Sequence, residues 1–146
     1  FLFQSIFIPE GEKVPPREIL NNPDIFLYIK DFGSKNGDIG VVSVQKGQII
    51  GAVWTRVIPV YDHIDEDTSE IVISILPEFR GYGVGTKLMN KIFEVLKRSG
   101  YKKSSLLVQK NNPAVRFYLR LGYEIKNQKK DSAGNEDYIG HLEKLV

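Results

Sequence analysis

Apolar residues in this chain fall into short runs separated by glycine, proline and small polar clusters, and the spacing within each run predicts its element. Phe1 to Ile8 has helical apolar spacing and stops near Pro9 and Gly11. Pro15 and Pro16 before Arg17, Glu18, Ile19 and Leu20 read as a helix start, because proline is tolerated in a first turn, and Asn21, Asn22 and Pro23 break it. A second helical stretch runs from Asp24 to about Phe32, with Ile25, Leu27, Tyr28 and Ile29 apolar and Gly33 as the stop. The β-branched runs Ile39 to Val44 and Ile49 to Val57, separated by Gln45, Lys46, Gly47 and Gln48, predict an antiparallel hairpin.

A polar stretch from Tyr61 to Ser69 leads to a strand, Ile71 to Leu76, which Pro77 ends because proline cannot donate to a sheet ladder. Val84, Leu88, Ile92, Val95 and Leu96 then recur at helical spacing until Gly100. Ser104 to Gln109 is strand-like, a helix follows, and Tyr123 to Gln128 with Tyr138 to Leu145 forms a last hairpin across Asp131 to Asn135. Helices first, then β, β, β, α, β, α, β, β, predict an α/β (α+β) fold with a mixed sheet and helices on its faces. No linker, repeat or low-complexity segment divides it, and its 146 residues read as one domain, 1–146, able to form a core without staples.

Charge narrows the picture little. Twenty Lys and Arg against eighteen Asp and Glu give a formal net charge of +2, too balanced to imply nucleic acid or an anionic membrane as the main partner. The absence of cysteine excludes disulfides, thiolate metal sites and a cysteine nucleophile. No run approaches the ~20 apolar residues of a membrane span. Phe1 to Ile8 lacks the basic flank and cleavage site of a signal peptide, so a cytoplasmic location is the default expectation. His63 and His141 fall in no metal-ligand spacing, and no metal is expected. Trp54 and most Phe and Tyr residues sit in strand or helix patterns that suit a core.

The candidate chemistry lies at Arg80, Gly81, Tyr82, Gly83, Val84, Gly85 and Thr86, between a strand and a helix. A strand, a glycine turn and a helix in this order aim several unpaired backbone N–H groups, backed by the helix dipole, at one spot that suits a phosphate. A Walker A loop needs a glycine before its lysine, and Thr86 precedes Lys87; a G-x-G-x-x-G fingerprint ends on Thr86 or Leu88. R-x-x-G-x-G does fit, at Arg80, Gly83 and Gly85, and further on Asn111, Ala114, Phe117, Tyr118, Leu121, Gly122 and Tyr123 stand as N-x-x-A-x-x-F-Y-x-x-L-G-Y. The two blocks, in this order, resemble the pyrophosphate loop and cofactor helix of the GNAT superfamily of acetyl-CoA-dependent N-acetyltransferases. The resemblance is specific from about Glu70 to Tyr123.

The resemblance implies a mixed, mostly antiparallel central sheet flanked by helices. It places a β-strand before the first helix, so that strand, and the true start with it, is expected to be missing from this numbering. It implies acetyl-CoA as co-substrate, with its pyrophosphate on the N–H groups of Gly81 to Thr86 and positive charge from Arg80 and Lys87. Pantetheine is expected between the strands Ile71 to Leu76 and Ser104 to Gln109, which splay apart, with the N–H of Ser74, Ile75 or Leu76 facing the acetyl carbonyl. Asn111 is expected to bond the cofactor while Asn112 and Pro113 cap the helix, although the adjacent asparagines can exchange these jobs.

An alkyl amine of pKa about 10 needs a proton acceptor before it can attack. Glu70 in Glu70, Ile71, Val72, Ile73 resembles the general base of the histone acetyltransferase branch, with Asp65, Glu66 and Asp67 as alternatives or as an acidic mouth. Tyr118 matches the family tyrosine that protonates the departing thiolate. The expected partner is an amine acceptor, a small primary amine in preference to a protein or peptide, and a homodimer is compatible with the sequence. A non-catalytic acyl-CoA-binding module is the other reading, and a nucleotide-binding module is disfavoured by the failed phosphate motifs.

Overall fold

The structure, a computed structural model, describes residues 1–8, 10–58, 67–130 and 138–146. Helix α1 (Leu2–Ser5), a 3-10 turn at Arg17–Asn21 and α2 (Pro23–Phe26) precede the strands β1 (Ile39–Gln45), β2 (Gln48–Arg56) and β3 (Thr68–Ile75). Helix α3 (Val84–Arg98), β4 (Lys103–Gln109), α4 (Ala114–Arg120), β5 (Glu124–Lys130) and β6 (Tyr138–Leu145) complete the chain. The six strands form one sheet in the order β1-β2-β3-β4-β6-β5, antiparallel throughout except where β3 meets β4. This is the mixed, mostly antiparallel sheet expected. The hairpin loop at Asp131 to Asn135 lies outside the described residues.

Several boundaries move. The first helix ends at Ser5 instead of running to Ile8, and α2 is a single turn, from Pro23 to Phe26, continued by isolated turns up to Gly33. Neither has the length that stabilises a helix by itself, so both depend on the sheet beneath them. β3 begins at Thr68, which puts Glu70 inside the strand instead of before it. The β1–β2 connection is tight, with Lys46 (φ 49°) and Gly47 (φ 77°) both left-handed, as the right-handed twist of a two-residue hairpin requires.

Strand alternation divides the core between two faces. On one face Leu88, Met89, Ile92 and Leu96, recurring at three and four residues along α3, pack on Val53, Ile71, Leu106, Val108 and Leu142. On the other, Leu2, Leu20, Ile25, Tyr28 and Ile29 from the short helices and turns cover Ala52, Trp54 and Val72. Trp54 is thus core, as expected, and its Nε1–H donates to the Tyr28 carbonyl at 3.0 Å.

The second face also carries an ion pair that the sequence did not advertise. The Arg56 side chain, 2% exposed, bonds both oxygens of Asp38 at 2.7 and 2.8 Å. Its Nη1 donates to the carbonyls of Leu27 at 2.9 Å and Lys30 at 2.5 Å, and its guanidinium lies over the Phe32 ring. Asp38 also accepts from the N–H groups of Gly33 and Lys35. These partners satisfy the buried charges, and the Arg56 hydrogen bond holds the Asp38 carboxyl down at about 2. A depressed carboxyl contributes stability above its unfolded pKa near 4 and loses that contribution as pH falls toward 2. Asp38→Asn is therefore expected to lower stability by about 3 kcal/mol at pH 7, with the deficit shrinking in urea unfolding below pH 4.

Candidate active site

The parallel ladder between β3 and β4 covers only Thr68, Ser69 and Glu70 against Lys103, Ser104 and Ser105. Both strands continue beyond it, β3 on β2 as far as Ile75 and β4 on β6 as far as Gln109. Each keeps its outer neighbour while the inner edges part, which leaves a wedge-shaped cleft with its apex at Glu70. Backbone direction alternates along each edge. Leu76 N–H donates to Ile50 of β2 at 2.9 Å, so Leu76, Ser74 and Val72 turn their peptide groups to β2 while Ile71, Ile73 and Ile75 turn theirs to the cleft. Across from them, Val146 N–H bonds Lys102 O, which leaves Ser105 and Leu107 facing the cleft.

That parity selects among the expected donors. Leu76 N–H is spent on β2 and Ser74 N–H points the same way, leaving Ile75 as the residue of the three whose N–H addresses the cleft. Ser74 Oγ is buried and has no hydrogen-bond partner among the described residues. The Oε1 of Gln109, on the facing strand, is in the same condition.

Glu70 sits on the last rung before the parting and is 3% exposed. Its carboxylate accepts from Ser105 Oγ at 2.5 Å and from the Leu107 N–H, a cleft-edge donor that a longer ladder would have used. Burial pushes the Glu70 carboxyl up to about 7, against the lowering effect of those two hydrogen bonds. Of the alternative acids, Asp65 and Glu66 lie outside the described residues, and Asp67 pairs with Lys102 at 2.9 Å behind the apex.

The glycine segment stands at the open end of the cleft, after a 3-10 turn at Pro77–Phe79. Gly81 (φ 81°) and Gly83 (φ 82°) are left-handed, with open space where a side chain would stand, and Gly83 is the N-cap of α3. None of the backbone N–H groups from Gly81 to Thr86 has a hydrogen-bond acceptor among the described residues; the first helical bond runs from Lys87 to Gly83. Unpaired donors at the positive end of a fifteen-residue helix fit a pyrophosphate. Gly85 is glycine for a different reason, since a Cβ there would lie 3.2 Å from Ile75 Cδ1 and 3.2 Å from Phe117 Cζ. It draws the loop, the end of β3 and α4 together. Tyr82 is 80% exposed, and Val84 and Thr86 open the helix.

Arg80 Nε donates to the Ile75 carbonyl at 2.9 Å and its Nη2 to the Gln4 carbonyl at 3.3 Å, so the exposed guanidinium ties the strand end to α1. Asn112 Oδ1 accepts from Ala114 N–H at 2.9 Å and caps α4, which leaves Asn111 exposed with no hydrogen bond among the described residues. Tyr118 stacks against Phe117 and edge-on against Tyr123, with ring centroids 5.4 and 6.0 Å apart. Burial pushes the Tyr118 phenol up to about 12, so it stays protonated, and its hydroxyl has no hydrogen-bond partner among the described residues. Tyr123 differs in that its hydroxyl is 2.7 Å from Ser104 Oγ. Ser105 and Gln109 are the site residues that sequence reading missed; adjacent serines in an apolar strand were the available signal for the first.

His63 lies outside the described residues, and His141 is buried in β6, 3.8 Å from Glu143. No group of three metal-ligating side chains occurs among the described residues. No helix among them is long and apolar enough to cross a membrane.

The site thus combines a donor cradle, a parted parallel strand pair and a buried carboxylate at the apex. The sequence profile of the Acetyltransferase (GNAT) family matches residues 6–123, and the chain belongs to that family. It is 46% identical over 55 residues to an uncharacterized N-acetyltransferase of Methanocaldococcus jannaschii, covering 37% of this chain and 24% of that protein. It is 28% identical over 99 residues to N-alpha-acetyltransferase 50 of Danio rerio, covering 65% of this chain and 56% of the relative. The chain thus spans about a quarter and just over half of the lengths of these two relatives. The structure of an aminoglycoside 6'-N-acetyltransferase complexed with coenzyme A superposes with a TM-score of 0.68 at 16% identity, over 88% of this chain and 86% of that one.

Gly83→Val would force a β-branched residue into a left-handed conformation at the N-cap and tilt the cradle donors. We expect it to weaken acetyl-CoA binding at least about tenfold in calorimetric titration while the protein remains folded. Unchanged affinity in a folded variant would remove the cradle assignment.

Proposed function

We propose that this protein is an acetyl-CoA-dependent N-acetyltransferase that transfers the acetyl group directly to a primary amine. The observation that carries this reading is the cleft itself, with unpaired donors for a pyrophosphate at its mouth and a carboxylate of raised pKa at its apex. Acetyl-CoA supplies the acetyl thioester; the protein's residues bind it, orient it and move protons. The N–H groups of Gly81 to Thr86 hold the pyrophosphate, and the free edges of β3 and β4 pair with the pantetheine amides. Ile75 N–H, with Ile73 one step deeper, is available to the thioester carbonyl.

Protonation decides what Glu70 does. An alkylammonium of pKa about 10 is three units from neutral at pH 7, a deficit of about 4 kcal/mol that the site has to offset. A carboxylate titrating at about 7 is well matched to accept that proton, whereas an ordinary glutamate is a weaker base by more than two units. Ile73 lies three residues from Glu70, ~10 Å along the strand, so the proton travels through water or through the amine's own approach. On the opposite side Tyr118 keeps its proton and gives a hydrogen bond to the departing sulfur. The burial that raises the phenol raises the basicity of a thiolate in the same pocket, which favours the transfer that follows.

The acceptor is a small primary amine. Support comes from α1, whose Leu2 is buried on the sheet and whose Gln4 carbonyl is held by Arg80, so the helix covers β3 beside the cleft and narrows the approach. The similarity to N-alpha-acetyltransferase 50 favours a second reading, acetylation of a polypeptide α-amine. Thiol release measured against a panel of small amines and short peptides separates the two. No thiol release with any acceptor, despite acetyl-CoA binding, would leave a non-catalytic acyl-CoA-binding module.

Glu70→Gln keeps the shape and removes the basicity. For the parent, kcat/KM is expected to rise with pH through about 7 as Glu70 ionises; the variant should lose that limb and recover in part at high pH, where the amine is already neutral. The variant should also be no less stable than the parent at pH 8, because a buried charge is gone. A pH–rate profile that overlays the parent's would move the base to the Asp65, Glu66, Asp67 cluster. Tyr118→Phe should lower kcat at least about tenfold with little change in acetyl-CoA affinity; the reverse pattern would make Tyr118 a binding residue.

A further inference from the structure

Arg80 stands where the cradle meets the end of β3. It directly precedes Gly81, the first residue of the donor cradle, yet its exposed guanidinium turns back over the strand end. There Nε donates to the Ile75 carbonyl, which faces the cleft, and Nη2 donates to the Gln4 carbonyl of α1. Among the described residues, α1 is also anchored by Leu2, packed against Ala52 and Trp54, and by Phe3, under the Arg17 guanidinium. A helix of four residues cannot hold itself, so its place depends on such ties. We infer that Arg80 is a positioning residue shared between the cofactor and α1: its guanidinium holds either the Gln4 carbonyl or the pyrophosphate, so that cofactor binding at the cradle loosens α1.

Competition between the two partners follows from their chemistry. Both bonds in the structure run to neutral carbonyls, whereas a pyrophosphate offers ionised oxygens that a guanidinium can bond in pairs, each such bond roughly twice as strong as a neutral one. The Arg80 side chain is exposed, so no buried packing has to break when it swings. Its backbone leads directly into the left-handed Gly81 and the unpaired N–H groups proposed to hold the same anion. Ile75 adds a second source of competition, because its carbonyl lies on the cleft edge proposed for the pantetheine amides, and a cofactor amide donating there takes the acceptor that Arg80 Nε uses. A ligand shifts an equilibrium by its differential affinity for two arrangements, and here the difference is one guanidinium. The helix that narrows the approach beside β3 thereby answers to what occupies the mouth of the cleft.

This inference rests on the reading of the cradle as a cofactor site, and the test separates the two. Coenzyme A without an acetyl group is the probe, so that no turnover occurs. Binding is read by calorimetry, and α1 by hydrogen exchange at the Ser5 and Ile6 amides, which bond back to Phe1 and Phe3. Saturating coenzyme A is expected to speed exchange at those two amides about tenfold. Arg80→Gln should exchange fast at both amides without coenzyme A and show no further rise with it, and it should bind coenzyme A about tenfold more weakly. In the parent, exchange that is unchanged or slowed by bound coenzyme A would overturn the inference alone. So would an Arg80→Gln variant whose α1 amides still respond to the ligand, or one with parent-like affinity, since the guanidinium would then not reach the pyrophosphate. A parent protein that binds no coenzyme A would overturn the cradle reading and this inference with it.

Discussion

The parting of β3 from β4 is the constraint on which the rest of the molecule depends. A parallel pair that separates after three rungs exposes a row of peptide groups on each inner edge, each costly to leave unpaired if water is excluded. The strands stay extended because their outer edges are fully used, by β2 on one side and β6 on the other. Glu70 terminates the ladder by taking the Leu107 N–H on its carboxylate, so a side chain replaces the rung that the backbone gives up. Structure and chemistry share one group here. The carboxylate that closes the apex is also the group proposed as the base.

The two ends of the cleft are held by different physics. At the mouth, left-handed glycines turn the chain into α3 and leave its first N–H groups without partners, an arrangement stable in water and better satisfied by an anion. At the apex, everything is desolvated. Asp38 and Arg56 form the complementary buried pair on the same face as Glu70, and because each of their charges is matched, they fix the turn from Leu27 to Lys30 without leaving a free charge in the interior. Glu70 stands opposite Arg56 on a β2–β3 rung, but that guanidinium is spent on Asp38, so burial raises the Glu70 carboxyl while the Arg56 hydrogen bond lowers that of Asp38.

Much of this was legible in the sequence where a backbone conformation or a period admits few residue types. Gly81 and Gly83 announce a left-handed turn, and the spacing of Leu88, Ile92 and Leu96 announces the helix it starts. The element order and the mixed sheet followed once those motifs were placed, while the strand order did not. What stayed hidden depended on parity and on long-range contact. Which of Ser74, Ile75 and Leu76 addresses the cleft is set by a single hydrogen bond, Leu76 to Ile50, and a one-residue shift would reverse the answer. Arg80 looked like a phosphate ligand because charge beside a glycine loop usually is one, yet a strand-end carbonyl and α1 claim it.

The raised carboxyl of Glu70 also sets a limit on how firmly the site can be closed. A group whose folded pKa lies above its unfolded value stabilises the fold below that unfolded value and loses the contribution as pH rises through about 7. In the pH range where Glu70 ionises, therefore, the apex carries a carboxylate held, among the described residues, by a hydroxyl and one peptide N–H. A lysine or arginine free to bond it, as Arg56 is not, would relieve that cost and would also pull the pKa back toward ordinary carboxylate values, removing the match to the ammonium proposed as substrate. The incoming ammonium can supply the missing positive charge itself, and only for the moment before it gives up its proton. The cost at the apex and the cationic acceptor proposed for the site thus have the same cause, a desolvated carboxylate whose rung neighbour Arg56 is already spent on Asp38.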